Sequence, residues 1–170
     1  MELHYSNDDM TKVKKFSTAN IRKISGGRDP IRLLQEFISQ QGFDPDECLQ
    51  AKTGEGIRWM LTVAEGEDLE ILVEQMKKPS ETTVYMGINV AAVPIRGAHD
   101  VLISALEIAD GLVGIKVSLV GHFLVLSATM SLAGLSVEDL SYRYKLISAQ
   151  QSWFRTALAE ELGWEELPAK

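Results

Sequence analysis

The sequence predicts a single α+β domain, in which helices pack against an antiparallel sheet of about five strands in the order α-β-β-β-α-β-β-α. Three observations predict this class. Some segments alternate apolar with polar residues, as strands do, and others repeat apolar residues every three or four positions, as helices do. Tight turns join neighbouring strand segments, which favours antiparallel hairpins. A chain of 170 residues is long enough to bury the core of one such domain.

The first 28 residues differ in charge from the rest of the chain. They carry six basic against three acidic residues, whereas residues 29–170 carry eleven against twenty-one. We therefore predict a basic, mobile arm at 1–28, a domain at 29–163 and a tail at 164–170. The arm could form an amphipathic helix that docks on an acidic partner or anionic lipid. It could equally be a solvated tether that lies on its own acidic domain.

The first helix is marked at both ends. Asp29 is a typical N-cap, Pro30 suits the first helical position and Gly42 is a typical stop. Residues 43–56 have the composition of a connection, with a proline and two glycines. Three strand patterns follow, and their short turns predict an antiparallel meander. Their apolar positions are Ile57, Trp59, Leu61 and Val63, then Leu69, Ile71 and Val73, and then Val84, Met86, Ile88 and Val90.

The second half of the domain predicts a helix, a hairpin and a longer helix. Helical spacing runs over residues 98–110, and two alternating segments at 115–119 and 123–130 flank a turn. Ser136 is a typical N-cap for the last helix, with acidic residues in its first turn where the macrodipole favours them. Gly163 ends this helix after about seven turns.

The last helix is apolar on two opposite faces. At 100° per residue, two series with the same spacing lie about 180° apart. One is Val137, Leu140, Tyr144, Ile147, Phe154 and Leu158, and the other is Tyr142, Leu146, Ala149, Trp153 and Ala157. A terminal helix in a two-layer fold ordinarily shows one face to water. The second face therefore needs cover, either from the first helix or the arm, or from another protein.

We interpret the second face as a protein-binding surface. Aromatic residues dominate interface hot spots, so the candidate contacts are Tyr142, Leu146, Ala149, Trp153 and Ala157, with Trp59 in the sheet as a further candidate. The partner is another protein, a second copy of the chain as a homodimer, or both. An alternative is a small-molecule or lipid sensor, with a pocket between the sheet and the last helix lined by Met60, Met86, Met130 and Tyr144.

No pattern in the sequence predicts catalysis or a bound group. His4, His99 and His122 lack the spacing of a zinc site. Gly54-Glu55-Gly56 is followed by a strand pattern where a dinucleotide-binding loop requires a helix, and no serine stands in a nucleophile elbow. We therefore expect a protein that is not an enzyme, with no cofactor, no metal and no catalytic residues.

Charge, hydropathy and cysteine content favour a cytoplasmic protein. The acidic domain would repel nucleic-acid phosphates, so direct nucleic-acid binding is not expected. Apolar stretches are too short for a membrane span, and the N-terminus has no secretory-signal pattern. The single Cys48 cannot form an intramolecular disulfide, which fits a reducing compartment.

The order of elements and the entry into the last helix resemble the YbjN family over residues 29–163. The entry reads Leu132-Ala133-Gly134-Leu135-Ser136-Val137-Glu138-Asp139-Leu140. That family shares its fold with type III secretion chaperones. The resemblance implies a small, often dimeric adaptor or chaperone-like regulator, and it supplies no catalytic residues. The basic arm lies outside the similar region.

Overall fold

The computed structural model describes residues 29–52, 56–64, 67–75, 82–165 and 167. Three helices and six strands lie in these residues in the order α-β-β-β-β-α-β-β-α. The basic arm predicted for residues 1–28 lies outside the described residues. The elements are α1 (Pro30–Gln40), β1 (Leu49–Lys52), β2 (Gly56–Ala64), β3 (Glu67–Gln75), β4 (Thr82–Ala92), α2 (Ala98–Ala109), β5 (Lys116–Val120), β6 (Phe123–Ser131) and α3 (Val137–Leu162).

The strands form one antiparallel sheet in the order β1-β2-β3-β4-β6-β5. The predicted fold class and the meander of β2, β3 and β4 are confirmed. The prediction of about five strands was one short, because β1 lies in the segment predicted as a connection. β1 has four residues, and its pairing with β2 shifts register between Leu49 and Ala51. So short and irregular a strand gives no clean alternation.

The pleat of the sheet divides its side chains between two faces. Trp59, Ile71 and Met86 are partners in register, and each is at most 1% exposed. The neighbouring row, which includes Met60 and Gly87, points to the opposite face. α3 contacts β4 and β6, and both α1 and α2 contact α3. The buried residues of all three helices join one core with the Trp59 face of the sheet.

α1 begins and ends as the sequence predicts. The Asp29 carboxylate accepts a hydrogen bond of 3.1 Å from the N–H of Ile31, which caps the first turn. Gly42 has φ 88°, a left-handed conformation that costs glycine little. The N–H of Phe43 donates to the carbonyl of Ile38 at 3.2 Å. This bond, which spans the last turn, is the Schellman arrangement.

α3 also begins and ends at the predicted residues. The Ser136 hydroxyl accepts from the N–H of Asp139 at 3.1 Å, and the Asp139 carboxylate accepts from the N–H of Ser136 at 3.0 Å. At the other end Gly163 has φ 65°, and the Trp164 N–H donates to the Ala159 carbonyl at 2.9 Å. Both ends of the 26-residue helix are therefore satisfied within the chain.

The packed domain extends beyond Gly163. Leu167 lies in the segment predicted as a tail, yet it is 6% exposed and belongs to the core. Trp164 packs partly buried against the same core. The Schellman turn redirects the chain after α3, so these apolar residues return to the domain.

A hydrogen bond from α3 satisfies a backbone carbonyl of β4 at the point where the ladder between β4 and β6 is interrupted. The register of β4 against β6 shifts between Asn89 and Ala91, which leaves Val90 as an extra residue. Val90 is 1% exposed, so its carbonyl needs a partner within the protein. A guanidinium N–H of Arg155 donates to this carbonyl. The side chain of α3 thus replaces a hydrogen bond that the bulge removes.

Candidate functional site

The two faces of α3 have different environments. Val137, Leu140, Ile147, Phe154 and Leu158 are buried, together with Gln151, in the core. On the opposite face Tyr142 is 61% exposed and Trp153 is 47% exposed. Ala149, which lies between them, is also exposed, whereas Leu146 and Ala157 are half-buried. We call the exposed strip formed by Tyr142, Ala149 and Trp153 the outer face of α3.

The connection between α2 and β5 covers part of the second apolar series. The Gln150 side-chain amide makes two bonds with the backbone of Val113, accepting from its N–H at 3.3 Å and donating to its carbonyl at 3.2 Å. About two turns earlier on α3, Arg143 donates to the carbonyl of Gly114 at 3.1 Å. The expected cover was the first helix or the arm. In the described residues, the α2–β5 connection lies there instead.

Close packing against this connection explains why Trp153 is half-exposed. A Cβ added to Gly111 would lie 3.0 Å from Cη2 of Trp153, and one added to Gly114 would lie 3.8 Å from Cδ2 of Leu146. One edge of the indole therefore contacts the α2–β5 connection, and the rest remains open to solvent. The hydrogen bonds from Gln150 and Arg143 join the α2–β5 connection to α3 beside its outer face.

The structure removes Trp59 from the candidate contacts. Trp59 is 1% exposed and is among the largest fully buried side chains of the described core. It lies on the helix-covered face of the sheet, in register with Ile71. Ile57, Trp59 and Leu61 share the apolar face of β2, and all three are buried. Trp59 cannot contact a partner without unfolding.

A second exposed apolar surface, which was not predicted from the sequence, lies on α2. Ile103 is 44% exposed and Leu106 is 65% exposed, whereas Val101 and Ala105 of the same helix are buried at 1%. Val113 in the following connection is 71% exposed. Ile103 is about 160° from Val101 around the helix. That angle was the available signal, because one stripe cannot contain both residues.

The residues expected to line a sensor pocket do not share one face. Met86 is buried on the helix-covered face of the sheet, and Met60 belongs to the alternate row on the other side. Tyr144 packs edge-on against Phe37 of α1, with ring centroids 6.0 Å apart. The predicted lining of Met60, Met86, Met130 and Tyr144 therefore does not enclose a common cavity.

Asp139 and Cys48 have shifted pKa values, and each shift has a local cause. The Ser136 hydroxyl and then the Ser136 N–H hydrogen-bond Asp139 and lower the pKa of its carboxyl, which is a consequence of helix capping. Burial, followed by the negative charges of Asp44 and Glu47, raises the pKa of the Cys48 thiol. A thiol with a raised pKa is a poor nucleophile. Both shifts have a structural explanation.

Within the described ranges, no group of three or more histidine, cysteine, aspartate or glutamate residues is placed to hold a metal ion. The same part of the chain contains no helix that is both long and apolar enough to cross a membrane.

No protein-family model and no curated protein matches the chain. The resemblance to the YbjN family therefore stays a prediction. The chain is, however, similar to several solved structures.

A chain of the ExsC–ExsE complex is 16% identical, with a TM-score of 0.54, and the match covers 83% of this chain and 95% of that one. A chain of the heterodimeric ExoU–SpcU complex from the type III secretion system of Pseudomonas aeruginosa is 17% identical, with a TM-score of 0.49 over 73% and 96% of the two chains. A chain of the complex between the Yersinia pestis type III secretion chaperone SycH and a fragment of YscM2 is 13% identical, with a TM-score of 0.45 over 74% and 98%.

At these identities the similarity concerns the fold. The match to the ExsC–ExsE complex carries this conclusion, since its TM-score is the highest of the three. The α+β architecture, with an antiparallel sheet covered by helices, is the fold that this chain shares with a chain of the ExsC–ExsE complex.

Proposed function

We propose that this chain is a non-catalytic, chaperone-like protein that binds a segment of another protein through the outer face of α3. The observation that carries the proposal is the exposure of Tyr142 and Trp153 on a helix whose opposite face fills the core. The other two tryptophans, Trp59 and Trp164, are buried or half-buried. Exposed aromatic side chains on a rigid helix are typical of binding surfaces, since little conformational entropy is lost on association.

Polar residues border the outer face of α3, as a polar rim borders the apolar centre of a protein interface. Lys145, Thr156 and Glu160 are exposed on the same side of α3. The Arg143 guanidinium lies 5.8 Å from the centroid of the Tyr142 ring, which orients the ring by a cation–π contact. Interfaces between proteins have this composition, with aromatic residues and arginine enriched at the centre.

The fold gives further support to a protein-binding role. The similar ExsC–ExsE structure is a complex of two proteins. We propose in addition that this chain self-associates and that it acts in the cytoplasm. The single Cys48 is in keeping with a reducing compartment. The sensor alternative has no comparable support, because its expected lining lies on two faces of the sheet.

The test is affinity capture of the intact chain from lysate of its own cells, followed by quantitative mass spectrometry. Wild type is compared with Trp153→Glu and with the matched control Ser152→Glu, which adds the same charge one position away on the same helix. We expect one stoichiometric protein with wild type and with Ser152→Glu, reduced at least about tenfold with Trp153→Glu, because burying an unpaired carboxylate in an interface is costly.

Thermal melting of both variants must first show that the fold is retained. A partner that both glutamate variants retain equally would contradict the assignment to the outer face of α3. Recovery of the bait alone in every sample would contradict the client-binding role itself.

A further inference from the structure

The face of the sheet that the three helices do not cover, which we call the far face, contains a buried apolar residue outside the core. Val125 lies between the core residues Leu124 and Leu126 on β6, so the pleat turns its side chain away from the helices. It is 5% exposed, although every other buried apolar residue of the described ranges belongs to the core. Its cross-strand neighbours, Asn89 and Ser118, are short and polar and supply little cover. Cover from a further part of the chain would account for its burial.

The far face is apolar and smooth around Val125. A Cβ added to Gly87 would overlap the Tyr85 hydroxyl, so the Tyr85 ring lies along β4 over this glycine. Ser127, the register partner of Gly87, is fully buried beside the ring. Leu72, the β3 partner of Tyr85, is half-buried on the same face. A segment with apolar residues of its own would therefore meet a continuous surface across β3, β4 and β6.

The direction of α1 shows where residues 1–28 join the domain. The side-chain amide of Gln41, just after α1, donates to the Ser141 hydroxyl near the start of α3 at 3.4 Å. The Phe37 ring contacts the Tyr144 ring, one turn further along α3. The two helices therefore run antiparallel. Since both helices rise equally per residue, the first turn of α1 lies beside the second half of α3.

The second half of α3 is attached to the end of the sheet that carries Val125. Arg155 donates to the carbonyl of Val90, and the adjacent Asn89 is the register partner of Val125. Residue 28 therefore joins the domain near this end of the sheet. The 28 residues before Asp29 span up to about 90 Å when extended, whereas six strands are about 24 Å across. The arm is long enough to reach the far face.

Charge favours the far face over the outer face of α3 as the place where the arm binds. Residues 60–76, which span part of β2 and all of β3, contain five acidic residues and no basic one. Two of them, Asp68 and Glu70, lie on the far face. The arm carries six basic and three acidic residues, so it is attracted to this hairpin. The outer face of α3 instead borders on the basic Arg143 and Lys145.

We propose that residues 1–28 bind back onto the far face of the sheet of the same chain. The apolar residues of the arm are Val13, Phe16, Ile21 and Ile24. They cover Val125 and Leu72, while the lysines of the arm lie beside the acidic β2–β3 hairpin. The arm is thus an intramolecular cover for a second apolar surface. This surface is on the other side of the sheet from α3, so failure of this proposal and failure of the proposed function are distinguishable.

The experiment measures paramagnetic broadening of the amide resonances of residues 10–24 in the isotope-labelled full chain. A spin label is attached to Thr129→Cys, at an exposed position of the far face, or to the control Ser39→Cys, at an exposed position of α1. Both variants also carry Cys48→Ala, which removes the native thiol. We expect loss of most of the signal with the label at position 129 and little loss with the label at position 39. Equal signal with the two labels would overturn the proposal.

Substitutions in the arm test which contacts hold it. Phe16→Glu places a carboxylate against the apolar surface and should restore the signal. Asn20→Glu adds the same charge at a polar position of the arm and should retain most of the broadening. Salt at about 1 M, where the Debye length is about 3 Å, should restore part of the signal because it screens the attraction between the lysines and the hairpin. Broadening that persists unchanged in Phe16→Glu would contradict the apolar contact.

A mixed sample distinguishes the chain's own far face from that of a second copy. Isotope-labelled chain without a spin label is mixed with unlabelled chain that carries the spin label at position 129. We expect no broadening in this mixture, because the arm and the far face that it covers belong to one chain. Broadening as strong as in the doubly labelled chain would overturn binding within the chain.

Discussion

α1 and α2 flank α3 on opposite sides, and they differ in how much of their apolar surface the chain covers. α1 buries Leu33, Leu34, Phe37 and Ile38 and exposes Arg32, Glu36 and Ser39. α2 buries Val101 and Ala105, yet it exposes Ile103 and Leu106. The first helix is complete within the chain, because one apolar stripe meets one core. The second has apolar residues left over, which indicates a role beyond packing.

The largest expected effect separates a core residue of α1 from a surface residue of α2. Phe37 is fully buried and contacts the Tyr144 ring, so Phe37→Ala should lower the free energy of unfolding by about 3–5 kcal/mol. Leu106→Ala should cost less than about 0.5 kcal/mol in dilute solution. Chemical denaturation measures both values.

The dependence on protein concentration should also differ between Leu106→Ala and Phe37→Ala. If α2 pairs with a second copy, the cost of Leu106→Ala should grow with concentration, since association stabilises the folded state by mass action. The cost of Phe37→Ala should stay constant. A large loss of stability for Leu106→Ala at every concentration would show that the two helices do not differ as described.

Substitutions at the caps of α1 and α2 should change the free energy of unfolding by smaller and unequal amounts. Asp29→Ala removes the side-chain acceptor at the start of α1 and should cost about 1 kcal/mol. Gly97, at the start of α2, has φ 80° and makes no side-chain cap bond. Gly97→Asn should lower the free energy of unfolding by less than Asp29→Ala does, because asparagine tolerates this left-handed conformation better than other side chains, although glycine adopts it without strain. Equal losses of stability in Asp29→Ala and Gly97→Asn would contradict this difference between the two caps.

The smallest expected effect concerns the hydrogen bonds that join the α2–β5 connection to α3. Gln150→Ala removes both bonds to the Val113 backbone and should cost about 1 kcal/mol or less, since the site is exposed. The specific readout is amide hydrogen exchange, which should become faster at Val113 while the core of α3 is unchanged. Ser152→Ala is the matched control on α3. Unchanged exchange at Val113 would show that other contacts hold the connection.

The sequence predicted the features that short stretches of chain determine. Asp29 and Gly42 bound α1, and Ser136 and Gly163 bound α3, because caps involve residues a few positions apart. The two faces of α3 could also be read from periodicity. The exposed strip at Tyr142 and Trp153 agrees with that reading.

Features that depend on distant residues were missed. Trp59 was a candidate contact because it is aromatic, yet it belongs to the apolar face of β2, which the helices cover. Leu106 was counted in the helical apolar pattern of α2, yet it is 65% exposed, and the exposure of Ile103 was not predicted. The neighbour of Trp153 is Gly111, which is far from it in sequence. β1 was missed because its four residues lack a clean period.

The hydrogen bond from Arg155 to the bulge at Val90 has a consequence for the order of folding. The two residues are 65 positions apart, so the contact closes a long loop. β2, β3 and β4 can pair through local turns, whereas the carbonyl of Val90 gains its partner after α3 docks. The strand ladder is therefore completed by a contact between residues that are far apart in the sequence. Such contacts carry a large loop-closure entropy and slow the folding of domains that depend on them.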